Sequence, residues 1–231
     1  IKNKPADIGQ IPDGSSDVAE SMAKPGKKAS KYIPYSTKDD WTVKEALTNS
    51  RCWLTLAAAI GLYIPYMMLI SHGIACLGDH GIPASAAAFS ISLVTATSIV
   101  GRLLGGELCN RMPARFVWAG SLVVLLMGSI FLMTATGTVG MVLYAVCTGI
   151  GFGASFVCMP VVFSSYYGAK IYSSLFGTLF PIITICSSIS PTLAGYLFDA
   201  SGSYTSGFIM IIAFNVVGII ASLLNTPPKK Q

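Results

Sequence analysis

Arg102 is the residue of this sequence whose type and position point most directly to chemistry. It stands deep in an apolar run of the chain, eight residues before Asn110. In a helix, eight residues correspond to about 12 Å of rise, which would place the guanidinium near the middle of a bilayer. A central arginine costs at least about 2.5–3.5 kcal/mol on insertion scales. We therefore expect Arg102 to face a watery cavity and bind an anion there, because its rigid fork matches a carboxylate.

Two other interpretations of Arg102 stay open. Its side chain could snorkel toward the headgroups, or it could pair with an acid on a helix that this sequence lacks. Glu107 is not such a partner, because five residues place it about 140° around the helix from Arg102. Glu107 and Arg111 do share a face. Their spacing predicts an ion pair, which either contributes to gating or is a solvated interfacial pair.

Four other side chains also allow two interpretations. Tyr63 and Tyr66 lie in the middle of the first apolar run, where they either line a cavity or pack against a neighbouring helix. His72 and His80 could relay protons, but a lone histidine at an interface is more often a polar anchor. We take Arg102, Tyr63 and Tyr66 as candidate substrate-binding residues.

The sequence contains no pattern typical of an enzyme. It has no H-E-x-x-H, P-loop or G-x-S-x-G motif, and no histidine follows Ser155 to activate its hydroxyl. The six cysteines are scattered one or two per apolar run without C-x-x-C spacing, so we expect small packing residues rather than metal ligands or disulfides. We therefore expect no catalysis, no cofactor and no metal.

Six long apolar runs must position these side chains. Of the 231 residues, 53% are hydrophobic and only 11% are charged, whereas a soluble domain carries roughly 25% charged residues. Each run reaches the length of about 20 helical residues that a bilayer requires, and continuous rather than alternating runs exclude a barrel. The sequence predicts an all-α membrane protein with spans at 52–74, 84–108, 115–135, 138–163, 171–198 and 204–224.

Small residues and prolines indicate how these spans pack. Small residues at a spacing of four predict close helix–helix seams. The pairs are Gly101 and Gly105, Gly149 and Gly153, and Pro191 and Gly195. Prolines inside the spans weaken the helix locally and either act as hinges or reflect the ordinary frequency of proline in membrane helices. They are Pro65, Pro160, Pro181 and Pro191.

The positive charges predict the orientation of the spans. Nine of the 15 Lys and Arg residues lie in residues 1–51. Arg102 lies inside the second span, and the other five follow the second, fourth and sixth spans. The positive-inside rule then places both termini in the cytoplasm, for a protein of the plasma or cell inner membrane. This topology explains the net charge of +5, so we expect no nucleic-acid partner.

The amino-terminal part of the chain differs from the rest. Residues 1–40 are rich in Pro, Gly, Ser and Lys and are predicted to be flexible. Thr42 and Glu45 form a capping-box pattern that predicts a short interfacial helix near 41–49, with Trp41 at the headgroup level.

Three domains follow from this division of the chain. We predict a central cytoplasmic loop at 1–50, a six-helix membrane domain at 51–225 and a cytoplasmic tail at 226–231. The chain starts with Ile1 and shows no hydrophobic leader before the first span. We therefore expect no signal peptide and a missing upstream segment.

The stretch from Gly106 to Arg115 resembles the loop signature of the major facilitator superfamily, which reads G-x-L-x-D-R-x-G-R-[RK]. Four positions match and three depart from it. The matches are Gly106, Leu108, Arg111 and Arg115, and the departures are Asn110, Pro113 and Ala114. The stretch follows the second of six spans, which is the position that the signature has in the second half of such a transporter. The resemblance implies a gating role for Gly106, Glu107, Asn110, Arg111 and Arg115.

Residues 4–14 and 41–47 are similar to the central loop of the oxalate/formate antiporter and monocarboxylate transporter-like families. In those families an arginine four residues before the first glycine of the signature binds the substrate carboxylate, and Arg102 holds that place. Ser98 stands where monocarboxylate transporters typically carry a proton-coupling Asp. The fifth span has no lysine like that of the oxalate antiporters. One cation suits a monoanion better than a dianion.

The resemblance implies the carboxyl-terminal six-helix half of a twelve-helix secondary transporter, which works by alternating access. The implied partners are a small carboxylate substrate, the lipid bilayer and a missing amino-terminal six-helix half. That half belongs either to the same chain, of which this sequence is then a fragment, or to a separate chain. The alternative function is a non-transporting membrane scaffold or receptor-like module.

Overall fold

Residues 32–230 are described by the computed structural model, and over this range the protein is all-α. The helices are α1 (Val43–Thr48), α2 (Ser50–Asp79), α3 (Ala84–Cys109), α4 (Ala114–Met133), α5 (Gly137–Tyr167), α6 (Ala169–Ser201) and α7 (Thr205–Leu224). Helices α2 to α7 are long and apolar enough to cross a membrane. The predicted all-α membrane fold with six spans is confirmed. The flexible segment predicted for 1–40 falls mostly outside the described residues.

The spans differ from the predicted ones mainly at their ends. Helix α2 has 30 residues, or about 45 Å of rise, against a hydrocarbon core of about 30 Å. Helices α5 and α6 likewise continue through the polar residues that flank their apolar runs. Hydropathy detects only the part of a helix inside the hydrocarbon, whereas hydrogen bonding continues into the headgroup region. We call the end of the bundle at Ser50 and the 110–113 loop the basic end.

Helices α3 and α5 run parallel and touch along their backbones. A Cβ added to Gly101 would lie 2.5 Å from the Ile150 carbonyl oxygen, and one added to Gly105 would lie 2.8 Å from the Ala154 Cα. From the α5 side, a Cβ added to Gly153 would overlap the backbone of Ser98. The seams predicted at Gly101–Gly105 and Gly149–Gly153 are thus two sides of one interface, which only small residues permit.

The third predicted pair has a different surrounding. Gly195 of α6 faces the ring of His72, whose Cε1 would lie 3.8 Å from an added Cβ. All four prolines of the spans lie inside continuous helices. Membrane helices tolerate such prolines when neighbouring groups satisfy the carbonyls that they release.

The short helix α1 begins with the predicted capping box. The Glu45 amide donates to the Thr42 hydroxyl at 3.3 Å, and the Thr42 amide donates to the Glu45 carboxylate at 2.8 Å. Trp41, predicted to lie at the headgroup level, packs against the end of the bundle. Its ring is buried edge-on against Tyr167 of α5, with 5.3 Å between centroids, because the chain before α1 folds onto the ends of the spans.

The carboxyl-terminal tail returns to this same region. The Lys230 ammonium contacts the Glu45 carboxylate at 3.2 Å and donates to the Asp40 carbonyl. The hydrogen bonds from Thr42 and then the charge of Lys230 hold the pKa of Glu45 below its ordinary value. At pH values above the ordinary pKa of glutamate, the ionised carboxylate therefore stabilises this region in full. This contribution is lost as the pH falls through the lowered pKa.

The glycine seam gives a first prediction. Gly153→Ala should lower the free energy of unfolding by about 1–3 kcal/mol, because the new methyl group would press on the Ser98 backbone. Gly120→Ala is the matched control, since nothing lies within 4 Å of its added Cβ and alanine is the better helix former. Thermal unfolding in detergent measures both variants. Equal melting temperatures for the two variants would contradict the close α3–α5 contact.

Candidate functional site

Arg102 lies on the face of α3 that α5 does not cover completely. Its side chain is exposed in the six-helix bundle, and its guanidinium carbon lies 4.7 Å from the centre of the Phe156 ring of α5. An arginine over an aromatic face gains a cation–π attraction that strengthens when water is excluded. One face of the guanidinium is thus occupied by the ring, while its edges, which carry the N–H groups, are left for another partner.

A wall of aromatic rings continues from Phe156 across α5, α2 and α6. Phe152 lies 5.8 Å from Phe156, and Tyr66 of α2 stacks on Phe152 with 3.6 Å between ring centres. Tyr63 packs edge-on against both Phe152, at 6.2 Å, and Phe180 of α6, at 6.0 Å. The three predicted substrate-binding residues therefore belong to one connected group. Arg102 is on α3 and the two tyrosines are on α2, and Phe152 of α5 connects the two helices.

The hydroxyl of Tyr63 is the unusual polar group of this wall. Tyr63 is only 7% exposed, and its Oη has no hydrogen-bond partner among the described residues. A buried hydroxyl without a partner costs about 1–3 kcal/mol. Such groups are rare and usually have a function or an external partner.

The electrostatics of the site come from one cation. Arg102 is connected to the two tyrosines through the rings of Phe156 and Phe152. Within residues 32–230 no carboxylate forms an ion pair with it. A single guanidinium beside two hydroxyls and an aromatic wall can hold one carboxylate through charge-assisted hydrogen bonds.

Pro65 shapes the part of α2 that carries the two tyrosines. Proline has no N–H, so the carbonyl of Gly61 loses its helical donor. The Asn215 side chain of α7 replaces that donor, with its Nδ2 3.0 Å from the Gly61 oxygen. Gly61 also meets Gly218 of α7 backbone to backbone. The carbonyl released by the proline is thus satisfied by a neighbouring helix.

Two further hydrogen bonds fix α6 against α2. The Ser190 hydroxyl donates to the Ile64 carbonyl at 3.0 Å. His72 Nε2 donates to the Pro191 carbonyl at 3.0 Å. The structure thus gives His72 a contact of the polar-anchor kind, whereas His80 is exposed at the end of α2.

The loop motif lies at the basic end, away from the aromatic wall. Arg111 and Glu107 form the predicted ion pair, at 2.5 Å, and both side chains are more than half exposed. Gly106 meets only Val157 of α5, at 4.0 Å from an added Cβ. Asn110 caps α3. The Arg115 guanidinium lies 4.6 Å from the centre of the Phe116 ring, and the Arg115 carbonyl accepts from Ser222 of α7 at 2.9 Å.

Sequence reasoning missed several residues of this region. Phe152 and Phe156 are four apart on one span and could have been recognised as one face. Phe180 and Asn215 carried no such signal, because their roles depend on which helices are neighbours. The part of the chain that the structure describes holds no cluster of His, Cys, Asp or Glu suited to a metal.

Comparison with known proteins identifies the family of this chain. The family model of the major facilitator superfamily matches residues 51–231. Monocarboxylate transporter 13 of Bos taurus is 32% identical over 164 residues, which is 68% of this chain and 37% of that protein. Monocarboxylate transporter 12-B of Danio rerio is 27% identical over 161 residues, which is 67% of this chain and 32% of that protein. Monocarboxylate transporter 7 of Homo sapiens is 26% identical over 216 residues, covering 92% and 40%. The chain spans less than half the length of each of these relatives.

The proline-released carbonyl gives a second prediction, in the form of a double-mutant cycle. Asn215→Leu removes the donor to Gly61, and Pro65→Ala restores a helical N–H to the same oxygen. Asn215→Leu should therefore cost about 1 kcal/mol more of unfolding free energy with Pro65 present than in the Pro65→Ala background. Denaturation of the four proteins in detergent measures the coupling. Strict additivity would show that Asn215 does not act through that carbonyl.

Proposed function

We propose that this chain, which belongs to the major facilitator superfamily, is the carboxyl-terminal half of a secondary transporter for small monocarboxylates. The chain is a multi-pass integral membrane protein, and its relatives bear the names of monocarboxylate transporters. The observation that carries the proposal is the position of Arg102 at the edge of an aromatic wall, without an acid partner in the described residues.

Arg102 is the group that recognises the carboxylate. Phe156 covers one face of the guanidinium, so the substrate approaches the edge, where two parallel N–H groups match the two carboxylate oxygens. The desolvated site strengthens this pairing relative to water. A single positive charge neutralises one carboxylate, so a monoanion leaves no uncompensated charge in the bilayer.

Tyr63 and Tyr66 complete the site from α2. The unpartnered Tyr63 hydroxyl donates to a polar group of the bound substrate, which removes the cost of its burial. Tyr66 presents its ring flat against Phe152 and extends the apolar wall. This wall contacts the organic part of the substrate and excludes water from the carboxylate.

The missing wall of the cavity belongs to an amino-terminal six-helix half. Helices α3 and α6 are the least covered spans, with 28% of their most apolar stretch buried, whereas α2 and α5 reach 61%. Exposed apolar side chains such as Leu103 and Ile185 line them. The second half packs there, in the same chain or in another, and the two halves rock around the site.

The basic end faces the cytoplasm. Lys and Arg side chains gather at the loop after α3, at the start of α6 and in the tail, as expected for both termini inside the plasma or cell inner membrane. Residues 1–50 then form the central cytoplasmic loop, 51–225 the membrane domain and 226–231 the tail. The Glu107–Arg111 pair and its neighbours Gly106, Asn110 and Arg115 act in gating at this end.

The role of Arg102 gives a third prediction. Arg102→Ala should lower the uptake of labelled lactate by about ten- to hundredfold, which corresponds to a lost charge-assisted pairing of about 1.5–3 kcal/mol. Arg102→Lys should retain part of the activity, because it keeps the charge but loses the fork. Initial uptake is measured with equal amounts of the full-length protein in proteoliposomes. Uptake of labelled formate and of labelled oxalate is measured in the same way.

Lys170→Ala is the matched control for that experiment. It also removes one positive charge, but its side chain is 82% exposed at the start of α6, so uptake should not change. Normal uptake in both Arg102 variants would remove this residue from the site. No uptake of any carboxylate by the unmodified full-length protein would favour the scaffold or receptor-like function instead.

The Tyr63 hydroxyl gives a fourth prediction. Tyr63→Phe should raise KM for the substrate by about two- to tenfold, since one neutral hydrogen bond contributes about 0.5–1.5 kcal/mol. Tyr196→Phe, at an exposed position of α6, should leave KM unchanged. If Tyr63→Phe leaves KM unchanged and only raises the melting temperature, the hydroxyl is an unsatisfied core group and not a substrate ligand.

A further inference from the structure

Cys109 and Cys158 meet in the structure although they lie 49 residues apart. Their Sγ atoms are 3.6 Å from each other, and both residues are buried, at 5% and 0% exposure. All six cysteines carry free thiols. The sequence suggested only scattered packing residues, because nothing in the spacing reveals that these two positions face each other.

The pair continues the glycine seam between α3 and α5. Gly101 faces Ile150 and Gly105 faces Ala154, so each contact is separated by the same 49 residues as the two cysteines. A disulfide requires Cα atoms within about 4.4–6.8 Å, whereas packed helices are usually about 8–10 Å apart between axes. Backbone contact one turn earlier brings these helices closer than that usual distance, so the seam favours a bond between the two sulfurs.

One of the two thiols can be reached from the basic end. Cys109 lines a cavity of about 220 Å³ together with Tyr35, Arg115 and Tyr166. A hydroperoxide as small as hydrogen peroxide is comparable in size to a pair of water molecules and fits in that space. Cys158 does not line this cavity and is fully buried, with its Sγ 3.6 Å from that of Cys109, so it is positioned to react second.

We propose that Cys109 and Cys158 form a redox-sensitive site, which hydrogen peroxide converts to an interhelical disulfide. One thiol attacks a peroxide oxygen, so an S–O bond forms, the O–O bond breaks and one water leaves. The second thiol attacks the resulting sulfenic sulfur, so the S–S bond forms, the S–O bond breaks and a second water leaves. The two thiols together lose two electrons and two protons, and the peroxide is reduced to two waters.

The crosslink joins α3, which carries Arg102, to α5, which carries the Phe156 ring beneath the guanidinium. Phe156 is two residues before Cys158, and Arg102 is seven residues before Cys109. A covalent bond at this level fixes α3 against α5 and prevents the small sliding motions by which packed helices change state. Oxidation therefore reduces transport. This last consequence rests on the proposed transport function, whereas the chemical step does not.

Mass spectrometry of the full-length protein in membrane vesicles tests the chemical step. The vesicles are treated with hydrogen peroxide, remaining thiols are alkylated and the protein is digested. We expect one linked peptide pair joining Cys109 and Cys158, lighter by two hydrogen atoms than its separate parts, and its loss after dithiothreitol. Peroxide-treated folded protein that yields Cys109 and Cys158 only as alkylated thiols or as separate oxidised acids would overturn the proposal.

Two variants and one control complete the experiment. Cys109→Ala and Cys158→Ala should each abolish the linked peptide, and Cys52→Ser, a buried cysteine near the start of α2, should retain it. Peroxide should lower uptake, and dithiothreitol should restore it. In Cys109→Ala and Cys158→Ala, peroxide should not lower uptake. A crosslink that forms without any loss of uptake would overturn the effect on transport while leaving the Arg102 experiment unaffected.

Discussion

The backbone contact between α3 and α5 is the constraint on which the rest of the site depends. Lipid provides no hydrophobic force between helices, so association relies on close packing, and small residues let two backbones approach. Gly101 and Gly105 bring α3 against Ile150 and Ala154. Arg102 follows the first of these glycines directly, and Phe156 comes two residues after Ala154. Larger side chains in the seam would move the guanidinium away from its ring.

Ser98 of α3 belongs to the same seam. Ser98 is buried, its hydroxyl donates to the Thr95 carbonyl at 2.7 Å, and its backbone contacts Gly153 of α5. A serine hydroxyl does not ionise at physiological pH, so Ser98 cannot carry a coupled proton as the acid that the resemblance associates with this position would.

Sequence alone predicted the features that depend on local order along the chain. The number of spans, the Thr42 capping box and the Glu107–Arg111 pair follow from hydropathy and from spacings of three or four residues, and the structure contains all of them. The burial of Trp41 was not predicted, because it depends on Tyr167, far along the chain. The aromatic wall and the Asn215 bond were missed for the same reason, since contacts between distant helices leave no local pattern.

The charge of Arg102 links substrate binding to movement in the proposed transporter. Without an anion, a rocking motion that closes the second half over α3 must bury an unpaired guanidinium, and such burial is strongly unfavourable. A bound carboxylate neutralises that charge and satisfies its N–H groups, so closure becomes accessible to the loaded site. Phe156 helps the empty state as well, because its ring stabilises the cation without neutralising it. In the proposed mechanism, Arg102 is therefore stable in the open cavity before substrate binds, and its unpaired charge opposes closure of the empty site.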